Sequence, residues 1–165
     1  MRTISMVNFT DGKGKAFARV CHWNDADEPM PVRDNLFQFM IEVEQDCSGE
    51  STRSIFGCPT VLAARYVVWS ALRQCAGNPL KVRGLGIVTS EMRVYADYIY
   101  SVNCGDTGWI LPYPDIRCRR VNLDGTGDEP VYLQPVAEYR RLLEKEKTEP
   151  IGVELVTFRD KTEKL

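Results

Sequence analysis

The feature that most constrains the fold of this chain is a run of apolar residues at helical spacing, with a helix-start signal before it and a helix-stop signal after it. Pro59 suits the first turn of a helix, where its missing N–H is not needed, and Gly77-Asn78-Pro79 ends one. Between these limits, apolar residues recur at the spacing of a single helix face: Leu62, Tyr66, Trp69, Leu72 and Ala76. The sequence therefore predicts a helix from Pro59 to about Ala76 that packs this face on a sheet.

Much of the remaining chain alternates apolar and polar residues as strands do. The predicted strands are residues 3–9, 15–23, 35–44, 52–56, 91–102, 116–123 and 151–158. The Asp11-Gly12 step predicts a hairpin between the first two, and a helix over 91–99 remains the alternative for the fifth. Pro135 predicts a second helix, which runs to about Lys147.

These elements predict an α+β fold, with a mainly antiparallel sheet of five to seven strands and two helices packed on it. A chain of 165 residues fits one domain. We therefore expect residues 1–165 to form a single domain, with a polar tail that frays from about residue 159.

Charge and hydropathy exclude several classes of protein. With 21 basic and 23 acidic residues, the formal charge of −2 provides no bulk positive field for nucleic acid. The first residues lack the continuous apolar run of a secretory signal. The longest helix-like apolar stretch, Val61 to Trp69, contains Arg65 and is too short to cross a bilayer. We expect a cytoplasmic protein without a membrane partner.

The six cysteines do not form a metal-binding pattern, because none stands in a CxxC pair. We expect them to be reduced thiols, several of them in the core. Cys58 precedes the Pro59 helix, whose dipole would favour its thiolate. His22 is the one histidine, so a cysteine-dependent enzyme would pair Cys58 with His22. A structural or surface histidine is the simpler interpretation of His22.

Acidic and aromatic residues suggest a recognition surface. The acidic residues are Asp25, Asp27 and Glu28 in a proline-ended loop, and Glu42 and Glu44 on the predicted third strand. Trp109 and Tyr113 lie in an extended Pro-x-Pro segment, and one or the other of them is expected to be exposed. Together they predict a protein-binding surface with an acidic rim, although a solvated sheet face also explains the carboxylates.

Other motifs argue against cofactor and metal chemistry. Gly84-Leu85-Gly86 lacks the rest of a dinucleotide fingerprint, and the Asp124-Gly125 turn lacks a carboxylate at Leu133, the last position of a calcium loop. We expect no cofactor and no metal. Three arginines on one predicted strand leave a nucleic-acid-binding regulatory domain as a further alternative: Arg117, Arg119 and Arg120.

The order of the parts resembles a group of small uncharacterised bacterial proteins found among toxin-immunity proteins. The resemblance covers residues 36–115 and depends on the strands, the Leu- and Ala-rich helix at 60–73 and the aromatic Pro-x-Pro segment at 109–114. It implies a non-enzymatic inhibitor that binds a cognate toxin and blocks its active site. It carries no catalytic residue onto this chain.

Overall fold

The computed structural model describes most of the chain outside the C-terminal residues. The described residues are 3–24, 30–47, 49–75, 77–78, 80, 82, 84–89, 95–105, 113–122, 124 and 127–148. The chain divides into two compact units, residues 1–133 and residues 134–165. The predicted strand at 151–158 and the predicted fraying tail lie outside the described residues.

A six-stranded mixed sheet forms the centre of the first unit. Its strands are β1 (Thr3–Thr10), β2 (Ala16–Asn24), β3 (Leu85–Ile87), β4 (Tyr98–Asn103), β5 (Asp115–Val121) and β6 (Asp128–Val131). They lie in the order β3-β2-β1-β4-β5-β6. The predicted hairpin of β1 and β2 is confirmed, and its turn is held by the Asp11 carboxylate, which accepts hydrogen bonds from the backbone N–H groups of Lys13 and Lys15.

The two central strands overturn the expectation of a mainly antiparallel sheet, since β1 and β4 run parallel. The long connection that separates β2 from β4 contains helices, and such a crossover can return the chain to the same end of the sheet. The fold is α+β, as predicted. The predicted fifth and sixth strands are present as β4 and β5, and β6 occupies a stretch predicted to be a turn.

The described residues contain four helices, where two were predicted for the chain. They are α1 (Met30–Asp46), α2 (Gly49–Phe56), α3 (Pro59–Cys75) and α4 (Val136–Thr148). The two predicted helices are confirmed as α3 and α4, and α4 belongs to the second unit. No helix of the described residues is long and apolar enough to span a membrane.

The segments 35–44 and 52–56, predicted to be strands, are helical and belong to α1 and α2. Along α1, the buried residues Val32, Leu36, Met40 and Val43 recur every three or four positions, which is the helical period. Buried Phe39 and Ile41 complete an alternation over the same stretch. The segment therefore satisfies both patterns, and its length is what favours the helix.

The core lies where α3 packs on β1 and β2, with α1 and α2 against α3. Tyr66 of α3 is fully buried, and its ring centroid lies 5.7 Å from that of Phe9 on β1 and 5.3 Å from that of Phe39 on α1. The inward residues of α3 are Leu62, Ala63, Tyr66, Ser70 and Cys75. Leu72, predicted to share this face, is 67% exposed, because it follows Tyr66 by six residues and so points to another side of the helix.

Candidate functional site

Glu42 lies at the junction of α1 and α3 rather than on a sheet face. Trp69 Nε1 donates a hydrogen bond of 2.5 Å to Glu42 Oε2, and Gln38 Nε2 donates one of 3.0 Å to Oε1. Arg73 Nη1 lies 3.3 Å from the same Oε1, and its guanidinium stands 4.4 Å from the Trp69 ring centroid. The charge of Glu42 is therefore compensated within the protein, where it joins two helices.

Glu44 and Tyr113, both predicted to be partner-binding residues, bind each other. The Tyr113 hydroxyl donates a hydrogen bond to the Glu44 carboxylate. Tyr113 is only 7% exposed, so it is not the exposed aromatic residue that the sequence predicts at position 109 or 113. Since Glu42 and Glu44 are two residues apart on a helix, they point in different directions and form no common patch. Asp25, Asp27, Glu28 and Trp109 lie outside the described residues.

His22 is a buried residue of β2 that faces α3. It is 3% exposed, and its Nε2 shares a hydrogen bond of 3.0 Å with the Tyr66 hydroxyl. Burial lowers the pKa of His22 to about 4, which keeps the ring neutral near pH 7. Ser5 is its cross-strand neighbour on β1, and the buried Ser5 hydroxyl has no hydrogen-bond partner among the described residues. The arrangement is a polar cluster within the core.

Cys58 caps the N-terminus of α3, and its carbonyl accepts a hydrogen bond from the backbone N–H of Leu62. Its Sγ lies 3.4 Å from Thr60 Oγ1. The Thr60 hydroxyl, followed by the backbone N–H of Val61, lowers the pKa of the Cys58 thiol, because both stabilise the thiolate. Cys58 is thus the more nucleophilic type of thiol, at the place where the sequence predicts it.

The structure does not join Cys58 to His22 by a hydrogen bond. The ring nitrogen of His22 is engaged by Tyr66, which follows Cys58 by eight residues, a separation of about 12 Å along a helix. The described contacts of Cys58 Sγ are instead with its own helix terminus. A reaction that needs an accessible imidazole next to this thiol would therefore require another arrangement of these elements.

Two of the arginines on β5 are paired with carboxylates. Arg117 Nε lies 2.9 Å from Asp115 Oδ2, and Arg119 forms an ion pair with Asp128 of β6. Arg117 and Arg119 share one sheet face, and Arg120 points to the other. These pairs reduce the positive field that a nucleic-acid strand would require. Nucleic-acid binding by this strand stays a prediction.

The outer side of α3 is an apolar surface that sequence reasoning missed. We call it the α3 outer face, and its residues are Val61, Ala64, Arg65, Val68 and Leu72. Val61 is 42% exposed, and Val68 is 59% exposed. The spacing of four, three and four residues from 61 to 72 places them on one side of the helix, roughly opposite the buried residues Tyr66 and Ser70. A helical projection of the sequence could have found a second apolar stripe.

Strand β3 carries a further exposed apolar residue at the edge of the sheet. Ile87 pairs with Val20, which lies on the same side of β2 as His22 and therefore faces α3. Ile87 is largely exposed, and α3 contacts β3. The opposite edge, β6, carries Pro130 and two acidic residues. Of the two edges, only β6 has the features that block pairing with a further strand.

Comparisons with protein-family models, curated proteins and solved structures found no match. Among the part of the chain that the structure describes, no three histidine, cysteine or acidic residues come together as a metal site. The candidate sites therefore rest on the geometry of this chain alone, and they are the α3 outer face and the thiol at the start of α3.

Proposed function

We propose that this protein is a non-enzymatic binding module that docks another polypeptide on the α3 outer face. The supporting observation is that α3 is apolar on both of its sides. A surface helix of a globular protein normally carries charged and polar residues opposite its buried face. Here the exposed side presents Val61, Val68 and Leu72, and α3 contains no acidic residue. Such a helix is typical of an element that is covered on both sides.

Covering this face would release a useful amount of free energy. Each of the three apolar side chains is about half exposed, and full burial of Val or Leu is favourable by about 1.5 to 3 kcal/mol, so each would contribute about 1 kcal/mol. Ala64 has a short side chain within this face, which lets a partner approach the helix closely. Ile87 and the edge of β3 would extend the contact along the sheet.

The charge of the face indicates the chemistry of the partner. Arg65 lies between Val61 and Val68 and has no ion-pair partner within the described ranges. A second copy of the chain placed with α3 against α3 would bring like charges together, which is unfavourable. The complementary surface is therefore an apolar helix or ridge with a carboxylate placed to meet Arg65.

The finer function, inhibition of a toxin or other effector by covering its active site, is proposed from the resemblance of residues 36–115. It fits a module that binds one partner without turnover. In that case the partner is the toxin itself.

The test uses the tagged full chain as bait in lysate of its source cells, with proteins identified by mass spectrometry. Leu72→Glu and Val68→Glu place a charge in the face, and Gln74→Glu places the same charge on another side of α3. We expect one stoichiometric polypeptide with the unaltered chain and with Gln74→Glu, and its loss with the other two. Equal recovery by all four baits would contradict the proposal.

A second measurement separates a foreign partner from a second copy of the chain. Sedimentation of the purified protein should give a monomer. A dimer that dissociates with Leu72→Glu would show that another copy covers the α3 outer face, which would overturn the proposed partner. A monomer that retains no stoichiometric protein from lysate would overturn the binding function.

A further inference from the structure

Two cysteines approach each other at one end of the sheet. Asn103, the last residue of β4, pairs with Asp115, the first residue of β5, so Cys104 lies where the chain leaves β4, next to the segment that contains Tyr113. The ring of Phe56 stands 6.0 Å from that of Tyr113. Phe56 ends α2, two residues before Cys58. Cys58 and Cys104 therefore each lie within a few residues of the contacts around Tyr113.

The electrostatics agree with this geometry. Burial, followed by the repulsion from the neighbouring Cys58 thiolate, raises the pKa of Cys104 to about 12. Cys104 is buried, and its Sγ points toward the Val102 carbonyl at 3.8 Å. The pair thus combines a reactive thiol at a helix terminus, Cys58, with a buried thiol that stays protonated, Cys104.

We propose that Cys58 and Cys104 form a redox-active pair that closes to a disulfide when a peroxide oxidises Cys58. The site differs from the α3 outer face in its residues and in its chemistry. It requires neither His22 nor a cofactor.

The reaction has two balanced steps. First, the Cys58 thiolate attacks one oxygen of hydrogen peroxide, the O–O bond breaks, and the departing hydroxide takes a proton to form water, which leaves Cys58 as a sulfenic acid. Second, the Cys104 sulfur attacks the Cys58 sulfur, the S–O bond breaks, and the hydroxyl leaves with the Cys104 proton as water. The two thiols supply the two electrons that reduce the peroxide.

The first step favours the second. A sulfenic acid is neutral, so the oxidation of Cys58 removes the negative charge that opposes a thiolate at Cys104. In the described structure, Cys58 does not raise the pKa of the other buried cysteines Cys118 and Cys21. Cys118 lies within β5 beside Tyr100, and Cys21 lies within β2.

The test is limited oxidation of the purified full chain with hydrogen peroxide, alkylation of the remaining thiols and peptide mapping by mass spectrometry. We expect one crosslinked peptide pair that contains Cys58 and Cys104 and that disappears after reduction with dithiothreitol. A crosslink from Cys58 to any other cysteine, or the absence of a crosslink when Cys58 is oxidised, would overturn the proposal. This measurement needs no altered protein.

Substitutions sharpen the result. With Cys104→Ser, peroxide should leave a sulfenic acid on Cys58 that dimedone labels, while Cys75→Ser, a matched buried cysteine, should still give the crosslink. Circular dichroism establishes that each variant is folded. Equal dimedone labelling of the unaltered chain and of a folded Cys104→Ser variant would contradict a resolving role for Cys104.

Discussion

The two sides of α3 are built from similar residues but meet different surroundings. The inner side places Leu62 and Tyr66 in the core with almost no exposed surface, whereas the outer side leaves Val68 and Leu72 more than half exposed. Both sides have helical periodicity, and only the inner one has a described partner. An apolar stripe in the sequence therefore identifies a helix surface that can be buried. Which stripe packs in the core depends on the contacts that the fold provides.

The largest effect is expected on the inner side, with Tyr66→Ala. Tyr66 contacts the rings of Phe9, Phe39 and Trp69 and holds His22 by a hydrogen bond. Its removal leaves a cavity and a buried polar ring, so the free energy of unfolding should fall by about 4 kcal/mol. Urea unfolding followed by circular dichroism measures this loss. A loss as small as that of an outer-face variant would erase the distinction between the two sides.

The second effect concerns His22, which faces the inner side. Its folded pKa of about 4 lies below the unfolded value of about 6.5, so the unfolded chain binds more protons between these values. The stabilising contribution is complete above pH 6.5 and is lost as the pH falls toward 4, by about 3 kcal/mol in total. Unfolding measured from pH 7 to pH 4 should show this slope.

A control removes the titrating group from that measurement. His22→Phe keeps an aromatic ring in the core and has no proton to bind, so the slope between pH 6.5 and pH 4 should become shallower. An unchanged slope would assign the pH dependence to other groups.

The third effect lies at the border between the two sides, where Glu42 accepts hydrogen bonds from Trp69 and Gln38. Glu42→Gln keeps the shape but removes the charge that attracts Arg73. Since the carboxylate is partly exposed, the loss in unfolding free energy should be about 1 kcal/mol. Trp69 fluorescence during thermal unfolding reports it. Asp46→Asn, an exposed acid at the end of the same helix, serves as the matched control and should have almost no effect.

The smallest effect on stability is expected on the outer side. Leu72→Ala removes apolar surface that is mostly in water, so the free energy of unfolding should change by less than about 0.5 kcal/mol. The same substitution should weaken the retention of a bound polypeptide in the lysate experiment. A loss of several kcal/mol in the isolated chain would show that Leu72 is already buried against its own fold.

The elements that could be predicted from the sequence are those whose signals lie within a few consecutive residues. The Asp11-Gly12 turn predicts the hairpin, Pro59 and Pro135 predict the starts of α3 and α4, and Cys58 was found from its place before Pro59. The segment of α1 was predicted to be a strand because Phe37, Phe39, Ile41 and Val43 alternate, although Leu36 and Val43 also fit a helical period. A count that includes Val32 and Met40 would have favoured the helix.

Contacts between distant segments could not be predicted from one sequence. The parallel pairing of β1 with β4 and the hydrogen bond from Tyr113 to Glu44 join residues that lie far apart in the chain, and so does the electrostatic effect of Cys58 on Cys104. Nothing in the local pattern around Tyr113 distinguishes a buried ring from an exposed one. These contacts depend on the order of strands in the sheet, which propensity and spacing leave open.

The parallel pair at the centre of the sheet joins two strands that are synthesised at different times. Ile4 donates its backbone N–H to the Asp97 carboxylate, a contact across 93 residues. At a translation rate of roughly 5 to 20 residues per second, β1 waits about 5 to 20 s for its partner strand. During that interval the nascent hairpin has an unpaired inner edge, so chaperones that shield strand edges should associate with this chain early in its synthesis.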